Sequence, residues 1–367
     1  MATFPIGETP TNSLHAPPFP RRTLSVRAVR IWMFCVALSA TATAQHVEAC
    51  KTPPTMLQLI ESPLVTSAIH KRVHVSVEPD GASALSQEWV EGKRKVWFIE
   101  NQREGADLIE AGVVLKYHAM VAQGLQMFEW GFKHQSKDTG GFPESSDPFH
   151  SVSIFLVDLE RSMLVIEESQ PEFKDMEPRV QAMLPQMDAA AHWLLRPEAL
   201  GPGRAGDNPF THRRWILAAV LGDAGQLTGD KTLTEAAVMF AKDGLALQHE
   251  DGTNPERGGF DVSYQMVDAV QGARYYTSLN CKHDAALMAE VRQQLIKTCQ
   301  WEMKHLLPDG SVDPTGSTRI LKEKLRSGEL KQANYKEIVQ AFTYTSIITH
   351  DPQYLQVATK MAASQGW

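Results

Sequence analysis

The chain is short of several things, and each shortage excludes a class of protein. It holds 4 cysteines in 367 residues, too few for a disulfide scaffold, and their spacing shows no zinc pattern. It has no basic excess: 36 Lys and Arg stand against 43 Asp and Glu, a formal charge of −7. A nucleic-acid partner, which needs a basic face, is therefore not expected. No run of 18 uncharged apolar residues occurs, which excludes a multi-span membrane protein. Strand alternation is nearly absent beyond residue 100, which argues against a sheet-based fold. No metal-ligand spacing appears, so neither a metal nor another cofactor is expected.

What is present begins with a leader. Residues 1–30 are polar and Pro-rich and carry Arg21, Arg22, Arg27 and Arg30. A short apolar run over 31–38 leads to Ala42-Thr43-Ala44, small at the positions a signal peptidase reads. Residues 1–44 thus read as a cleaved signal peptide, and the protein as secreted or periplasmic, with no membrane attachment in its mature form. Arg21-Arg22 hints at twin-arginine export. Val47-Glu48-Ala49-Cys50 resembles a lipoprotein box, but Glu48 and its distance from the apolar run argue against one. Without the leader, 32 basic residues face 42 acidic ones, or −10 over 323 residues. If so acidic a protein works on a polyanion, local cations must do the binding.

Residues 45–104 read as an N-terminal arm or small irregular segment, with strand-like alternation at 74–77 and 95–99. From 105 to 367 the chain reads as one all-α domain. Apolar spacing predicts helices near 106–134, 150–169, 176–195, 211–228, 231–249, 261–279, 283–306, 334–349 and 352–364. Cys281 and Cys299 flank one of these, about 27 Å apart by helix rise, so they do not suit each other as partners. A weak repeat recurs at Gly229-Asp230, His283-Asp284 and His350-Asp351, each Asp opening the second helix of a pair as a cap. The spacings, 54 and 67 residues, suit a helix hairpin plus its loop. Long polar loops at 137–149, 196–210, 250–260 and 308–318 favour an (α/α)n toroid, or incomplete barrel of hairpins, over an open solenoid. In a toroid such loops gather at one end and line a cleft.

The loop 251–265 is the densest in chemistry. It sets Glu256, Arg257, Asp261, Tyr264 and Gln265 within ten residues, around two glycines that permit close approach. Asp261 is equally suited to cap the helix that follows. In 207–215, Asn208 is a plausible cap, Pro209 suits a first helical position, and His212 lies one turn on. Arg319 ends the 309–319 loop, and His150 follows the 138–143 loop. Trp130 is suited to stack on a sugar, or to sit in the core. Arg213, Arg214, Arg257 and Arg319 all lie in or beside these loops.

Asn, His, Tyr and Arg gathered in one cleft fit β-elimination from a uronic acid. The carboxylate must be neutralised, a base must take the α-proton, and an acid must protonate the departing glycosidic oxygen. Tyr264 serves as base or acid if Arg257 or Arg319 lowers its pKa. Asp261 and Glu256 keep open a glycoside hydrolase on the same scaffold. A non-catalytic carbohydrate-binding helical repeat is the other alternative.

The stretch Asp-Gly-x-Asn-Pro-Glu-x-Gly-Gly-Phe-Asp-x-Ser-Tyr-Gln at 251–265 resembles the α/α-toroid polysaccharide lyases. Asn208 with His212, followed by Ala-Gly-x-Leu-x-Gly-Asp ending at Asp230, strengthens the likeness. The nearest match is the glucuronan and alginate lyase group, polysaccharide lyase family 38 among them, over about residues 105–365. The resemblance implies Tyr264 as base or acid, His212 as a second catalytic or carboxylate-contacting residue, and Asn208 as the neutraliser. Arg319 or Arg257 would be a supporting cation. Glu256, Asp261, Gln265, His150, Arg213 and Trp130 complete the expected substrate-contacting set. The expected substrate is an anionic polysaccharide.

Overall fold

The computed structural model describes residues 51–84, 89–91, 94–325 and 328–367. The expected signal peptide, the Cys50 box and the twin-arginine hint lie outside the described residues. The described residues from Lys51 to Trp367 form one compact unit.

The unit is all-α. Two short helices, α1 (Met56–Ile60) and α2 (Pro63–Ala68), come first, then a small antiparallel ladder of β1 (Trp89–Glu91) and β2 (Arg94–Val96). Eleven longer helices follow: α3 (Glu104–Val114), α4 (His118–Phe132), α5 (Pro148–Glu168), α6 (Glu177–Leu195), α7 (Pro197–Asp207), α8 (His212–Thr228), α9 (Lys231–Leu247), α10 (Val262–Ser278), α11 (Ala285–Met303), α12 (Tyr335–Thr349) and α13 (Pro352–Ser364). Among the described residues no helix is long and apolar enough to cross a membrane.

Sequence pattern decides which helices are central. In α5 nearly every position from Val152 to Ile166 is buried, so this helix has protein on all sides. α9 buries one stripe only, Leu233, Ala237, Phe240, Ala241 and Gly244, and turns its other face outward. α3, α5, α8, α10 and α12 pack each against the next as an inner row. α4, α6, α9, α11 and α13 back them as the outer partners of hairpins. Asp230 and Asp351 cap α9 and α13, accepting from Thr232 and Gln353 N–H groups. The Asp284 side chain makes no cap bond to α11 and instead accepts from the Asn280 N–H at 2.8 Å.

Four local readings are corrected in whole or in part. The 106–134 pattern is two helices, broken where Lys116 takes a left-handed φ of 54°. There the Tyr117 N–H reaches the Gly112 carbonyl and the Lys116 N–H the Val113 carbonyl, a helix-ending motif that usually has glycine in the left-handed place. The 196–210 stretch is not a loop but holds α7. The 74–77 alternation makes only one isolated bridge, Val77 to Ser83. The 95–99 alternation contributes β2 up to Val96. Met56, Leu59, Ile60 and Val65 of α1 and α2 are buried in the common core, beside α5 and α12.

Candidate active site

The 251–260 loop is fastened along the 207–212 turn. The Thr211 N–H and hydroxyl both donate to the Pro255 carbonyl, at 3.3 and 2.7 Å, and the Arg257 N–H to the Pro209 carbonyl at 2.7 Å. Arg257 and Gly258 both take positive φ, 52° and 78°, to turn the chain back. A Cβ at Gly259 would stand 2.8 Å from Thr318, so this glycine lets a second loop approach rather than a ligand.

Asp261 joins these loops to the 313–320 segment. One carboxylate oxygen caps α10, accepting from Ser263 and Tyr264 N–H groups at 3.1 Å. The other accepts from the N–H groups of Arg319 and Ile320, at 3.0 and 2.9 Å. With both oxygens so occupied and no exposure, Asp261 aims Tyr264 and Arg319 and has nothing left for substrate. Gln265 is likewise a staple: it accepts from the Asn254 N–H at 2.9 Å and donates to the Gly252 carbonyl at 2.7 Å.

These fastenings assemble a buried cluster. His212 Nδ1 lies 3.0 Å from Glu256 Oε2, and Glu256 Oε1 accepts from Arg319 Nη1 at 2.9 Å. Arg319 Nε donates to Glu323 at 2.7 Å, and its guanidinium lies 3.9 Å from the centre of the Tyr264 ring. The Tyr264 and His212 rings are 4.5 Å apart, tilted by 46°. Lys331 Nζ meets the Tyr264 hydroxyl. The His150 ring stands 6.3 Å from that of His212, and its buried Nδ1 has no hydrogen-bond partner.

Charge in the cluster follows from these contacts. Burial opposes ionisation of Glu256, yet His212 and Arg319 outweigh it and hold the carboxyl below its ordinary value. An ionised carboxylate only accepts, so His212 Nδ1 carries the hydrogen and Nε2 keeps a lone pair. Burial pulls His212 below its ordinary value, with Glu256 pulling back, so the ring favours the neutral form. Burial pushes the Tyr264 hydroxyl up, more than Arg319 pulls it down. This corrects the expectation of a tyrosine made acidic by a neighbouring arginine. Burial, with Arg319 nearby, pulls Lys331 down. Burial and the Arg213 charge pull His150 well below its ordinary value.

The remaining candidates lie outside this cluster. Asn208 is exposed at the C-terminal end of α7 and does not cap α8, whose first residue is His212. Arg213 is bound to Asp207 at 2.6 Å and Asp147 at 3.4 Å. Arg257 is exposed, 3.8 Å from Glu323 and over the Phe210 ring. Trp130 donates to Asp80 at 3.0 Å and packs edge-on against Trp97, sharing no contact with the cluster. Lys331 and Glu323 were not anticipated; they lie in a charged stretch with no motif around them. One group of metal-ligating type occurs among the described residues: His192 between Asp188 at 3.3 Å and Asp230 at 3.1 Å, all half-exposed.

No family model matches this chain, and no curated protein matches it either.

Proposed function

We propose that the chain is a polysaccharide lyase that cleaves a uronic-acid-containing polymer, of the glucuronan or alginate type, by β-elimination. One observation carries the reading: a neutral His212, its tautomer fixed by an ionised Glu256, lies ring to ring with a protonated Tyr264. That is a base and an acid side by side. His212 Nε2 takes the proton alpha to the uronate carboxylate. The electron pair of that C–H bond becomes the new carbon–carbon double bond as the glycosidic C–O bond breaks. The Tyr264 hydroxyl gives its proton to the departing oxygen, and Lys331 beside it stabilises the phenolate left behind.

This ordering assigns Tyr264 the acid role, because its raised pKa keeps the proton on at neutral pH. Arg319 holds Glu256 and screens Tyr264; its bonds to Glu256 and Glu323 leave it little for substrate. The hydrolase alternative needs a carboxylic acid to protonate the leaving group. Asp261 and Glu256 are the candidates, and both are engaged by donors on each oxygen.

The inner row of α3, α5, α8, α10 and α12 with its outer partners supports a further reading, that the hairpins curve into an incomplete toroid. The leader supports export to the periplasm or medium. The test is the ultraviolet absorbance of an unsaturated uronate, measured against glucuronan, alginate, pectate and glycosaminoglycans. Release of reducing ends without that absorbance would overturn the lyase reading. In an active chain, Tyr264→Phe and His212→Ala each lower the rate by about a hundred- to ten-thousandfold with folding intact. Full activity in Tyr264→Phe would remove Tyr264 from the reaction.

A further inference from the structure

Elimination needs the uronate carboxylate neutralised, and most cations near the cluster already face a carboxylate. Arg319 faces Glu256 and Glu323, and Arg213 faces Asp207. Arg161 and Arg274 share Asp158, and Lys336 meets Asp107. Arg103 differs. It is exposed, and its side chain makes no hydrogen bond or ion pair with any described residue.

Its position is set by the turn it ends, Ile99–Arg103. The Ile99 N–H donates to the Ser145 hydroxyl at 3.2 Å, and the Ser151 hydroxyl to Glu100 at 3.4 Å. The first bond holds the turn to the segment leading into α5, the second to the start of α5 itself, where Ser151 follows His150. One helical turn beyond Arg103, Asp107 meets Lys336 of α12. The charge of Arg103 acts on His150, on Glu337 and on Tyr264. The carboxylates of Glu100, Asp158 and Glu337 sustain that charge. The result is a guanidinium open to solvent and without a hydrogen bond or ion pair among the described residues, on the turn that bonds to Ser151, the residue after His150. A planar fork of N–H donors is the group best shaped to bind a carboxylate through two oxygens.

We propose that Arg103 receives the uronate carboxylate of the substrate, with His150 beside it. The assignment rests on the lyase reading and adds the residue that makes the sugar's acid group, not its hydroxyls, the feature recognised. It places this role on the N-terminal side of α3 rather than on Asn208.

Binding without turnover separates the two claims. In a Tyr264→Phe chain, calorimetric titration compares an oligoglucuronate with the same oligomer whose carboxylates are reduced to alcohols. The parent is expected to prefer the acidic oligomer. Adding Arg103→Ala weakens acidic binding by about ten- to a hundredfold, leaves the reduced oligomer within about twofold, and flattens the salt dependence. Arg103→Lys restores part of the preference, as a charge without the fork. A preference that survives Arg103→Ala, or that vanishes with Arg257→Ala instead, overturns the assignment and leaves the lyase reading standing. No preference in the parent overturns both.

Discussion

Glu256 at the loop end and Glu160 midway along α5 are both buried, yet the first is held ionised and the second is driven toward its neutral form. Glu256 has a histidine on one oxygen and an arginine on the other. Glu160 has neither: the charge that acts on it is that of another acid, Asp223 of α8, and none of their four carboxyl oxygens has a hydrogen-bond partner. Burial raises Glu160 first, and Asp223 adds to it. Burial likewise raises Asp223, against only a partial pull from Arg161. Partners, not depth, decide the charge of a buried acid in this protein. That is why the cluster can hold a fixed base while the α5–α8 pair behaves as core.

The largest effect should come from removing the partner that sets the cluster's charge. Glu256→Ala takes from buried Arg319 one of its two carboxylate partners and leaves the His212 Nδ1–H unpaired, and is expected to cost about 3–5 kcal/mol of stability. Denaturant unfolding measures it. An unchanged midpoint would show that the cluster is not coupled as the distances indicate, and the contrast with Glu160 would collapse.

The α5–α8 pair should respond in the opposite sense. A group whose folded pKa is raised stabilises fully below its ordinary pKa, and that stability is lost as pH rises through the folded value. The double change Glu160→Gln with Asp223→Asn should therefore raise stability at about pH 8, by about 1–3 kcal/mol, and do little at about pH 4. Thermal melts across that range decide it. Equal effects at both ends would mean that the pair is already ionised and paired with something else.

The activity profile sharpens the same contrast at smaller amplitude. His212 is depressed below its ordinary 6.5 and Tyr264 raised above its ordinary 10.0. Elimination should thus fall off on the acid side below 6.5 and on the alkaline side above 10.0, with a plateau between. Because Glu256 props up the His212 value, Glu256→Gln should move the acid limb to lower pH. A limb moving upward would mean that Glu256 is not ionised beside His212.

How much of this was legible in the sequence follows from the kind of signal involved. Helices from 148 onward were readable because their apolar stripes are long and their stops chemical, as at Gly229 and Asp230. α7 was not, because Gly201, Pro202, Gly203 and Gly206 spell a loop. Packing overrides that spelling: a Cβ at Gly203 would stand 2.3 Å from the Phe149 ring, so the glycine lets α7 lie on α5. The break at Lys116 carried no glycine and so gave no warning. At the site, motif density found His212, Glu256, Tyr264 and Arg319, which the structure brings together. It could not separate residues that shape the loops, Asp261 and Gln265, from those that face the cleft, since both kinds cluster at turns. Arg103 and Lys331 had no motif at all; only folding brings Lys331 onto the Tyr264 hydroxyl and sets the turn of Arg103 against Ser151.

The smallest expected effect is the one that most directly sets the resemblance against the fold. Asn208 is the family-implied neutraliser, but here it is exposed, ends α7, and makes no side-chain hydrogen bond among the described residues. Its backbone N–H, donated to the Ala205 carbonyl, survives any side-chain change. Asn208→Ala should therefore alter stability by no more than about 0.5 kcal/mol, as for an exposed site without partners. Elimination should change by less than about threefold, well short of the loss that removing a charge-neutralising group brings. Measured beside Arg103→Ala in the active chain, the two variants divide the reading cleanly. If Asn208→Ala is the one that abolishes turnover, the carboxylate lies toward α7, and the open guanidinium at 103 serves some other contact along the polymer.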